Sequence, residues 1–222
     1  MRSSLPDLES ALENLGLDCE TSKKDLLYEY IELLFKWHEK SNILSTRDKK
    51  YFIQRDMFDS LSILKHLPAG NLLDIGTGGG IPGMLLSFFI SNDAILIDRR
   101  LNAIRFLEYA KLKLALNNVR IIKSDIKEMN INDQISSVII KNFSNKIVSK
   151  LNFDDKIEHL INIIRSRVNK NTPILMLTGS IALEANNFSN DMKKKLRSSF
   201  STFKIETPYF ETNRYLLVIN HV

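Results

Sequence analysis

Apolar residues in the first third of the chain recur at the three- and four-residue spacing that is typical of α-helices. Two such stripes predict a short helix and a long one, and we expect a third helix over residues 49–66. Thr21 or Ser22 is available as the N-cap of the long helix, and residues 68–70 end the helical region. The two stripes consist of Leu8, Leu12 and Leu15, and of Leu27, Tyr30, Ile31, Leu34 and Trp37.

From Asn71 onward, short apolar runs alternate with longer amphipathic segments, which is typical of repeated βαβ units. The pattern predicts an α/β fold with a doubly wound, mostly parallel sheet. The last two runs, at 203–206 and 215–219, have no helix between them and are expected to pair antiparallel at one edge. The five earlier strands are predicted at 72–73, 94–97, 119–122, 138–140 and 174–177. The helices between the strands are predicted to begin near residues 82, 102, 155 and 181.

Five of the eight glycines in the chain lie within eight positions directly after the first predicted strand. Glycine lets a backbone turn sharply and approach a ligand closely, so this density disfavours a purely structural turn. The spacing Gly78-x-Gly80-x-x-Gly83 formally satisfies a dinucleotide-binding pattern. Its register is poor, however, because the first glycine after the strand is Gly76. A phosphate-binding P-loop is excluded, since no Gly-Lys-Ser/Thr follows.

Acidic residues end three of the predicted strands, where an open α/β sheet binds its ligands. Asp74 would repel a pyrophosphate, but it suits the ammonium or sulfonium of a methionine-derived cofactor. Asp98 stands where such folds hydrogen-bond ribose hydroxyls, and Asp125 follows the third strand, where adenine contacts are expected. Each acid alone would more simply be a loop residue or a helix cap. Together with the glycine turn, they favour S-adenosylmethionine over NAD.

Two kinds of methyl transfer lack their usual residues. Methylation of exocyclic amines commonly uses an Asn/Asp-Pro-Pro-aromatic motif after the fourth strand, and residues 140–144 contain no proline. Methylation of pyrimidine C5 needs a cysteine nucleophile, and Cys19 lies in the helical region, where we expect a core residue. An atom that is already nucleophilic, such as guanine N7, needs neither device, because alignment with the methyl group and exclusion of water suffice.

Composition and charge narrow the class of protein further. The chain has 222 residues, 44% hydrophobic and 26% charged, as expected for a globular protein, and we divide it into a helical subdomain over 1–68 packed on a larger domain over 69–222. A single cysteine excludes an internal disulfide and a cysteine-rich zinc site, and no metal is expected. The absence of an export signal and of any apolar run long enough to span a bilayer predicts a cytoplasmic protein without membrane association. The net charge of +5 hints at a polyanionic partner.

The sequence resembles the bacterial small-subunit ribosomal RNA methyltransferase G family, also called glucose-inhibited division protein B, from about Leu26 onward. Many methyltransferases share the glycine block. The blocks upstream of it, which contain Trp37, Arg47-Asp48 and Asp59-Ser60, make the resemblance specific. The matching blocks are residues 30–37, 42–48, 55–61, 74–83, 105–107 and 213–219.

The resemblance implies a class I methyltransferase fold, S-adenosylmethionine as the cofactor, and methylation of the N7 of a guanine in 16S ribosomal RNA. It further implies that Gly76, Gly78 and Ile81 lie along the methionine and ribose, and that Ile126 and Lys127 lie beside the adenine. Lys141 stands where the family has an arginine at the reactive end of the cofactor, and with Arg47 it is expected to position substrate or phosphate. The full predicted cofactor set is Asp74, Gly76, Gly78, Gly80, Ile81, Asp98, Asp125, Ile126, Lys127 and Lys141.

The sequence departs from the family pattern at several positions. Lys141 replaces the arginine and so loses its planar fork of donors, and Asp56 replaces a histidine. Asn142 replaces an alanine, Asn102 begins a segment that replaces a basic pair, and Thr178 lies in a replaced Met-Lys-Gly. The segment 42–44 replaces an Asn-Leu-Thr.

An RNA substrate requires phosphate contacts that weaken with salt and an unpaired or extruded base, because the deep A-form groove hides the Hoogsteen edge. We expect a monomer that acts on 16S RNA, either alone or within a small subunit or assembly intermediate. The alternatives are a methyltransferase of this fold with another RNA or small-molecule substrate, a non-catalytic cofactor-binding protein, and an NAD-dependent oxidoreductase. The RNA-facing candidates are Arg47, Arg55, Arg99, Arg100, Lys141, Arg165, Arg167, Arg214 and the lysines of 193–195.

Overall fold

A computed structural model describes residues 6–131, 133–141, 150–179, 189–195, 199–211 and 214–220. The first part of the chain is helical, as the apolar stripes predict. The third predicted helix is a continuous helical segment whose middle turn is a π-helix and whose last turn is a 3₁₀-helix. The elements are α1 (Pro6–Asn14), α2 (Thr21–Ser41), α3 (Lys49–Phe52), the π-helix Ile53–Met57, α4 (Phe58–Ser62) and the 3₁₀-helix Ile63–His66.

The predicted N-cap of the long helix is wrong. Thr21 is already the first residue of α2, and the N-cap position is taken by Glu20, whose side chain makes no capping hydrogen bond. In contrast, α3 has a side-chain cap, because the Asp48 carboxylate accepts a 3.1 Å hydrogen bond from the N–H of Tyr51.

The rest of the chain alternates strands and helices and ends in two strands. The strands are β1 (Asn71–Ile75), β2 (Ala94–Asp98), β3 (Val119–Lys123), β4 (Ile135–Lys141), β5 (Ile174–Thr178), β6 (Phe200–Lys204) and β7 (Tyr215–Ile219). The helices are α5 (Gly83–Ser87), α6 (Leu101–Lys113), α7 (Phe153–Arg165) and α8 (Asn190–Lys195). The helix predicted to begin near residue 181 starts outside the described residues.

All seven strands form one sheet in the order β3-β2-β1-β4-β5-β7-β6. The first five strands in this order are parallel, and β7 runs antiparallel to both of its neighbours. This confirms the predicted doubly wound sheet with an antiparallel pair at one edge. The strand predicted at 203–206 is displaced, because β6 begins at Phe200, which pairs with Ile219.

Apolar side chains cover both faces of the sheet. Leu72 points to a core that α5, α6 and the N-terminal helices share, whereas Leu73 points to a second core under α7. The rings of Tyr30 and Trp37 on α2 lie 6.1 and 5.8 Å from that of Phe106 on α6. The N-terminal helices therefore pack on the same face as α5 and α6, beside the turn that follows β1. None of the helices in the described ranges combines the length and apolar character needed to cross a membrane.

The strand order reverses direction at β1, which has β2 on one side and β4 on the other. The chain leaves these strands towards opposite faces, so a crevice opens at their carboxyl ends. In open α/β sheets this switch point is where ligands bind. The residues at the ends of β1, β2 and β4 therefore define the place to look for a site.

Candidate active site

Asp74, near the end of β1, is 1% exposed. Its Oδ2 accepts a 2.7 Å hydrogen bond from the N–H of Gly83, while its Oδ1 is buried with no partner among the described residues. Burial raises the pKa of this carboxyl from 3.8 to about 6, although the nearby Thr77 hydroxyl and the Gly83 amide lower it. The Thr77 Oγ1 is near enough to affect this pKa, but it makes no hydrogen bond to Asp74 or to any other described residue. A buried carboxylate that is only half satisfied suits a cationic ligand.

The glycine-rich turn runs from β1 to α5, and its backbone is fastened to β2. The N–H of Gly76 donates to the carbonyl oxygen of Ile97 at 2.8 Å. Gly78 and Gly80 have φ angles of 61° and 87°, in the left-handed region. A Cβ at Gly80 would lie 2.5 Å from the Cβ of Met84. The predicted need for glycine thus has two physical causes at this position, backbone conformation and close packing.

The N-terminal helices support the turn from the side opposite the sheet. The buried phenol of Tyr30 donates a short hydrogen bond to the carbonyl oxygen of Gly79. A Cβ at Gly79 would lie 2.9 Å from the side chain of Leu34. Ile81, a predicted cofactor residue, is half-buried beside this contact. The contribution of α2 to the shape of the turn had no signal in the sequence beyond the apolar stripe.

Asp98, the last residue of β2, is 4% exposed, and both of its oxygens are occupied. Its Oδ2 accepts a 2.8 Å hydrogen bond from the N–H of Gly78, which fixes the glycine turn to β2. Its Oδ1 accepts the N–H of Arg100 at 2.8 Å, and the Arg100 guanidinium contacts both oxygens at 3.2 Å. Asp98 is thus placed at the switch point as predicted, but Arg100 covers it.

The loop after β3 places the three predicted adenine residues differently. The Asp125 carboxylate accepts a hydrogen bond from the N–H of Lys127 at 3.1 Å and faces Arg99 at 3.8 Å. The Ile126 side chain is buried in the core under α7, and the Lys127 side chain is exposed. A ligand at this loop would therefore meet the backbone rather than the side chain of Ile126.

Lys141, the last residue of β4, makes a buried ion pair that the sequence did not predict. Its Nζ lies 2.7 Å from Oδ1 of Asp56 on the π-helix. Lys141 also lowers the pKa of Asp74. The two residues lie at the carboxyl ends of the neighbouring strands β4 and β1, and their shared role in a cofactor site stays a prediction. Asn142 and Phe143, which follow, lie outside the described residues.

A second buried ion pair lies beside the first. Arg214 forms a short ion pair with Asp59 on α4. The Oδ1 of Asp59 is buried and has no partner among the described residues. Burial raises the pKa of the Asp59 carboxyl from 3.8 to about 6, although Arg214 and Lys141 lower it. Both residues belong to blocks that carried the family resemblance. The pairing joins two blocks that are far apart in the sequence.

Arg47 lies on the exposed segment between α2 and α3. Burial lowers the pKa of His38, and the Arg47 guanidinium lowers it further. The side chains of Arg47 and Lys141 carry only hydrogen-bond donors, so no hydrogen bond or ion pair can join these side chains, and their shared catalytic role stays a prediction.

Six of the seven arginines predicted to face RNA make contacts within the protein. Arg99 and Arg100 pair with Asp125 and Asp98, and Arg55 donates to the Tyr51 hydroxyl. Arg214 pairs with Asp59, and the guanidinium of Arg167 donates to the carbonyl oxygen of Lys127. Arg165 donates to the backbone carbonyls of Asn169, Thr172 and Asn220. Sequence alone does not reveal these internal acceptors. These internal contacts make Arg165, Arg167 and Arg214 weaker candidates for phosphate binding, and their role towards RNA stays a prediction. The described ranges also contain no cluster of His, Cys, Asp or Glu that could hold a metal ion.

The fold and the carboxylates at its switch point define a class I methyltransferase of the S-adenosylmethionine-dependent type. The structure is similar to a ribosomal protein L11 methylase from Lactobacillus delbrueckii subsp. bulgaricus, with a TM-score of 0.53, 10% identity and coverage of 75% of this chain and 78% of the other. It is also similar to DhpI in complex with SAM and HEP, with a TM-score of 0.54, 13% identity and coverage of 90% and 99%. These similarities confirm the predicted fold.

Within that class, the chain belongs to the rRNA small subunit methyltransferase G family, whose model matches residues 23–207. Ribosomal RNA small subunit methyltransferase G from Acinetobacter baumannii is 28% identical over 225 aligned positions, covering 100% of both chains. The protein of that name from Methylobacillus flagellatus is 31% identical over 138 positions, covering 62% of this chain and 67% of the other. The predicted family is confirmed.

Proposed function

We propose that this protein transfers a methyl group from S-adenosylmethionine to the N7 of a guanine in 16S ribosomal RNA. The observation that carries the proposal is the family match over residues 23–207, because the relatives are named for methylation of small-subunit ribosomal RNA. The geometry at the switch point supplies the independent support described next.

The residues at the switch point fit S-adenosylmethionine. The unpartnered Oδ1 of Asp74 is suited to accept a hydrogen bond from the ammonium of the methionine moiety. Asp98 at the end of β2 would bind the ribose hydroxyls once the exposed Arg100 side chain moves aside. The backbone at Asp125 and Ile126 would border the adenine. Gly76 and Gly78 would let the turn approach the cofactor closely.

The reaction requires no acid–base catalysis by the protein. When bound, S-adenosylmethionine supplies an electrophilic methyl group on a sulfonium; the lone pair of guanine N7 takes this methyl, and the C–S electron pair remains on sulfur. Because N7 carries no proton, no general base is required. The chain's own contribution is to align the two reactants and to exclude water. We assign Lys141 to the reactive end and Arg47 to the RNA.

The RNA would be bound mainly through phosphates, and so in a salt-sensitive manner. Exposed cations outside the internal pairs, among the described residues, include Arg47 and Lys194. We infer that the protein acts in the cytoplasm as a monomer, on 16S RNA within a small subunit or an assembly intermediate.

The test follows tritium-labelled methyl groups from S-adenosylmethionine into small subunits that lack the modification. We expect incorporation into 16S RNA, followed by aniline cleavage of the labelled RNA at one guanine, since N7-methylation makes that position labile. Calorimetry with S-adenosylmethionine and NAD should give heat with the former alone. Incorporation without an aniline cut would contradict N7 as the target, and absence of heat with S-adenosylmethionine would contradict the proposal altogether.

A further inference from the structure

The buried ion pair between Asp56 and Lys141 joins the N-terminal helical segment to the end of β4. Only 9% and 6% of the two side chains are exposed. The Lys141 Nζ lies 2.7 Å from Asp56 Oδ1 and 3.4 Å from the Asp56 carbonyl oxygen. Two acceptors on one residue fix the ammonium, whereas an exposed lysine would sample many positions.

The register of the sheet sets the position of the Lys141 backbone. Ile140 is the register partner of Ile75, so Lys141 stands beside Gly76, at the first residue of the glycine turn. An ammonium has three N–H donors, and no described residue other than Asp56 accepts one. One N–H therefore has no acceptor among the described residues, at a strand end that borders the crevice between β1 and β4.

The two partners are also two of the positions where the sequence departs from the family pattern. Lys141 replaces an arginine, and Asp56 replaces a histidine. The structure shows that the two departures contact each other at 2.7 Å. A compact ammonium paired with a buried carboxylate has thus taken the place of a planar guanidinium, so a cation is retained at this position.

We propose that the Asp56–Lys141 pair selects guanine, with the free N–H of Lys141 donating to the guanine O6 beside the reacting N7. This inference rests on the proposed function. Guanine presents O6 and N7 as adjacent acceptors, whereas adenine presents an amino donor in place of O6. A fixed donor at this point therefore favours guanine and opposes adenine. Asp56 is a positioning residue in this scheme, and neither residue gives up or takes a proton.

The experiment compares guanine with 2-aminopurine, which keeps N7 but has hydrogen in place of O6. Each base is placed at the target position of otherwise identical small-subunit RNA, and initial rates of label incorporation from S-adenosylmethionine are measured. The proteins are the wild type, Asp56→Asn and the matched control Asp133→Asn. Asp133 pairs with Arg120 at 2.8 Å, with 29% and 48% of the side chains exposed, and lies before the amino end of β4.

We expect the wild type and Asp133→Asn to prefer guanine roughly 10- to 100-fold, as is typical of a specific contact to a base edge. Asp56→Asn should lose most of this preference, because its rate should fall much more on guanine than on 2-aminopurine. Comparing the ratio of rates between proteins cancels any intrinsic difference in N7 reactivity. A merely structural role for the pair would lower both rates equally.

Several outcomes would overturn the inference. Equal loss on both bases in Asp56→Asn, or an unchanged ratio, would reduce the pair to a structural contact. Equal wild-type rates on the two bases would overturn it without any variant, even if Asp56→Asn failed to fold. No label in the guanine RNA would instead overturn the proposed function and this inference with it.

Discussion

Asp74 and Asp98 end neighbouring strands and are both buried, yet the protein satisfies them differently. Asp98 accepts hydrogen bonds from the backbone of Gly78 and from Arg100 on both of its oxygens. Asp74 accepts one from Gly83 and leaves the other oxygen without a partner among the described residues. The Asp98 carboxylate fixes the glycine turn to β2, whereas the free oxygen of Asp74 is the one that we propose binds the cofactor's ammonium. The same residue type is therefore fully hydrogen-bonded within the protein at the end of β2 and only partly so near the end of β1.

The largest effect is expected from Asp98→Ala. Removing this carboxylate leaves the N–H groups of Gly78 and Arg100 without their acceptor, and the turn loses its attachment to β2. Because hydrogen bonds to a charged group are strong, we expect a loss of about 3 kcal/mol in the free energy of unfolding. Urea denaturation followed by circular dichroism would measure it. A loss within experimental error would show that Asp98 does not hold the turn.

In contrast, Asp74→Asn should weaken ligand binding strongly and change stability only slightly. The amide keeps an acceptor for Gly83 but lacks the charge for a ligand ammonium, so affinity for S-adenosylhomocysteine, which retains that ammonium, should fall about 10- to 100-fold. Stability should change by less than about 1 kcal/mol, because the substitution removes a buried charge that costs desolvation energy. Calorimetry and thermal unfolding give the two numbers. Large destabilisation with unchanged affinity would assign Asp74 to the fold instead.

The pH dependence of stability and of ligand binding tests the role of Asp74 further. Burial raises the pKa of Asp74 from 3.8 to about 6, so the folded state retains a proton that the unfolded state releases between these values. The contribution of Asp74 to stability therefore falls as the pH rises through this range. Ligand binding requires the charged form, so affinity for S-adenosylhomocysteine should fall up to about tenfold per pH unit below 6. Asp74→Asn is the control and should remove this dependence; a flat wild-type profile would contradict it.

Much of the fold was predictable because it depends on periodicity. Alternating runs located the seven strands, and the parallel order then placed Asp74, Asp98 and Lys141 at one edge. Periodicity does not encode where an element begins or ends. The edge strand was therefore predicted at 203–206, whereas it begins at Phe200. The N-cap at Glu20 was missed for the same reason, since a hydroxyl residue nearby was no guarantee of a capping bond.

The ion pairs of the site could not be predicted. Asp56 with Lys141 and Asp59 with Arg214 join segments that only the tertiary structure brings together. A basic residue in the sequence carries no information about whether its acceptor is internal, which is why Arg214 was expected to face RNA. Departures from the family pattern did point to part of the site, because two of them, Asp56 and Lys141, form an ion pair. Only the structure shows that these two residues are in contact.

The smallest expected effect is that of removing the Arg100 side chain, which contacts both oxygens of Asp98. The Arg100 side chain is 55% exposed, so Arg100→Ala should cost only about 0.5 kcal/mol of stability. Since it frees acceptor positions for ribose hydroxyls, affinity for S-adenosylhomocysteine should rise about two- to fivefold, a change of less than about 1 kcal/mol. Arg99→Ala is the matched control, because it removes the neighbouring charge without a contact to Asp98. Weaker binding by Arg100→Ala but not by Arg99→Ala would mean that Arg100 contacts the ligand itself, and Asp98 would then remain covered in the complex.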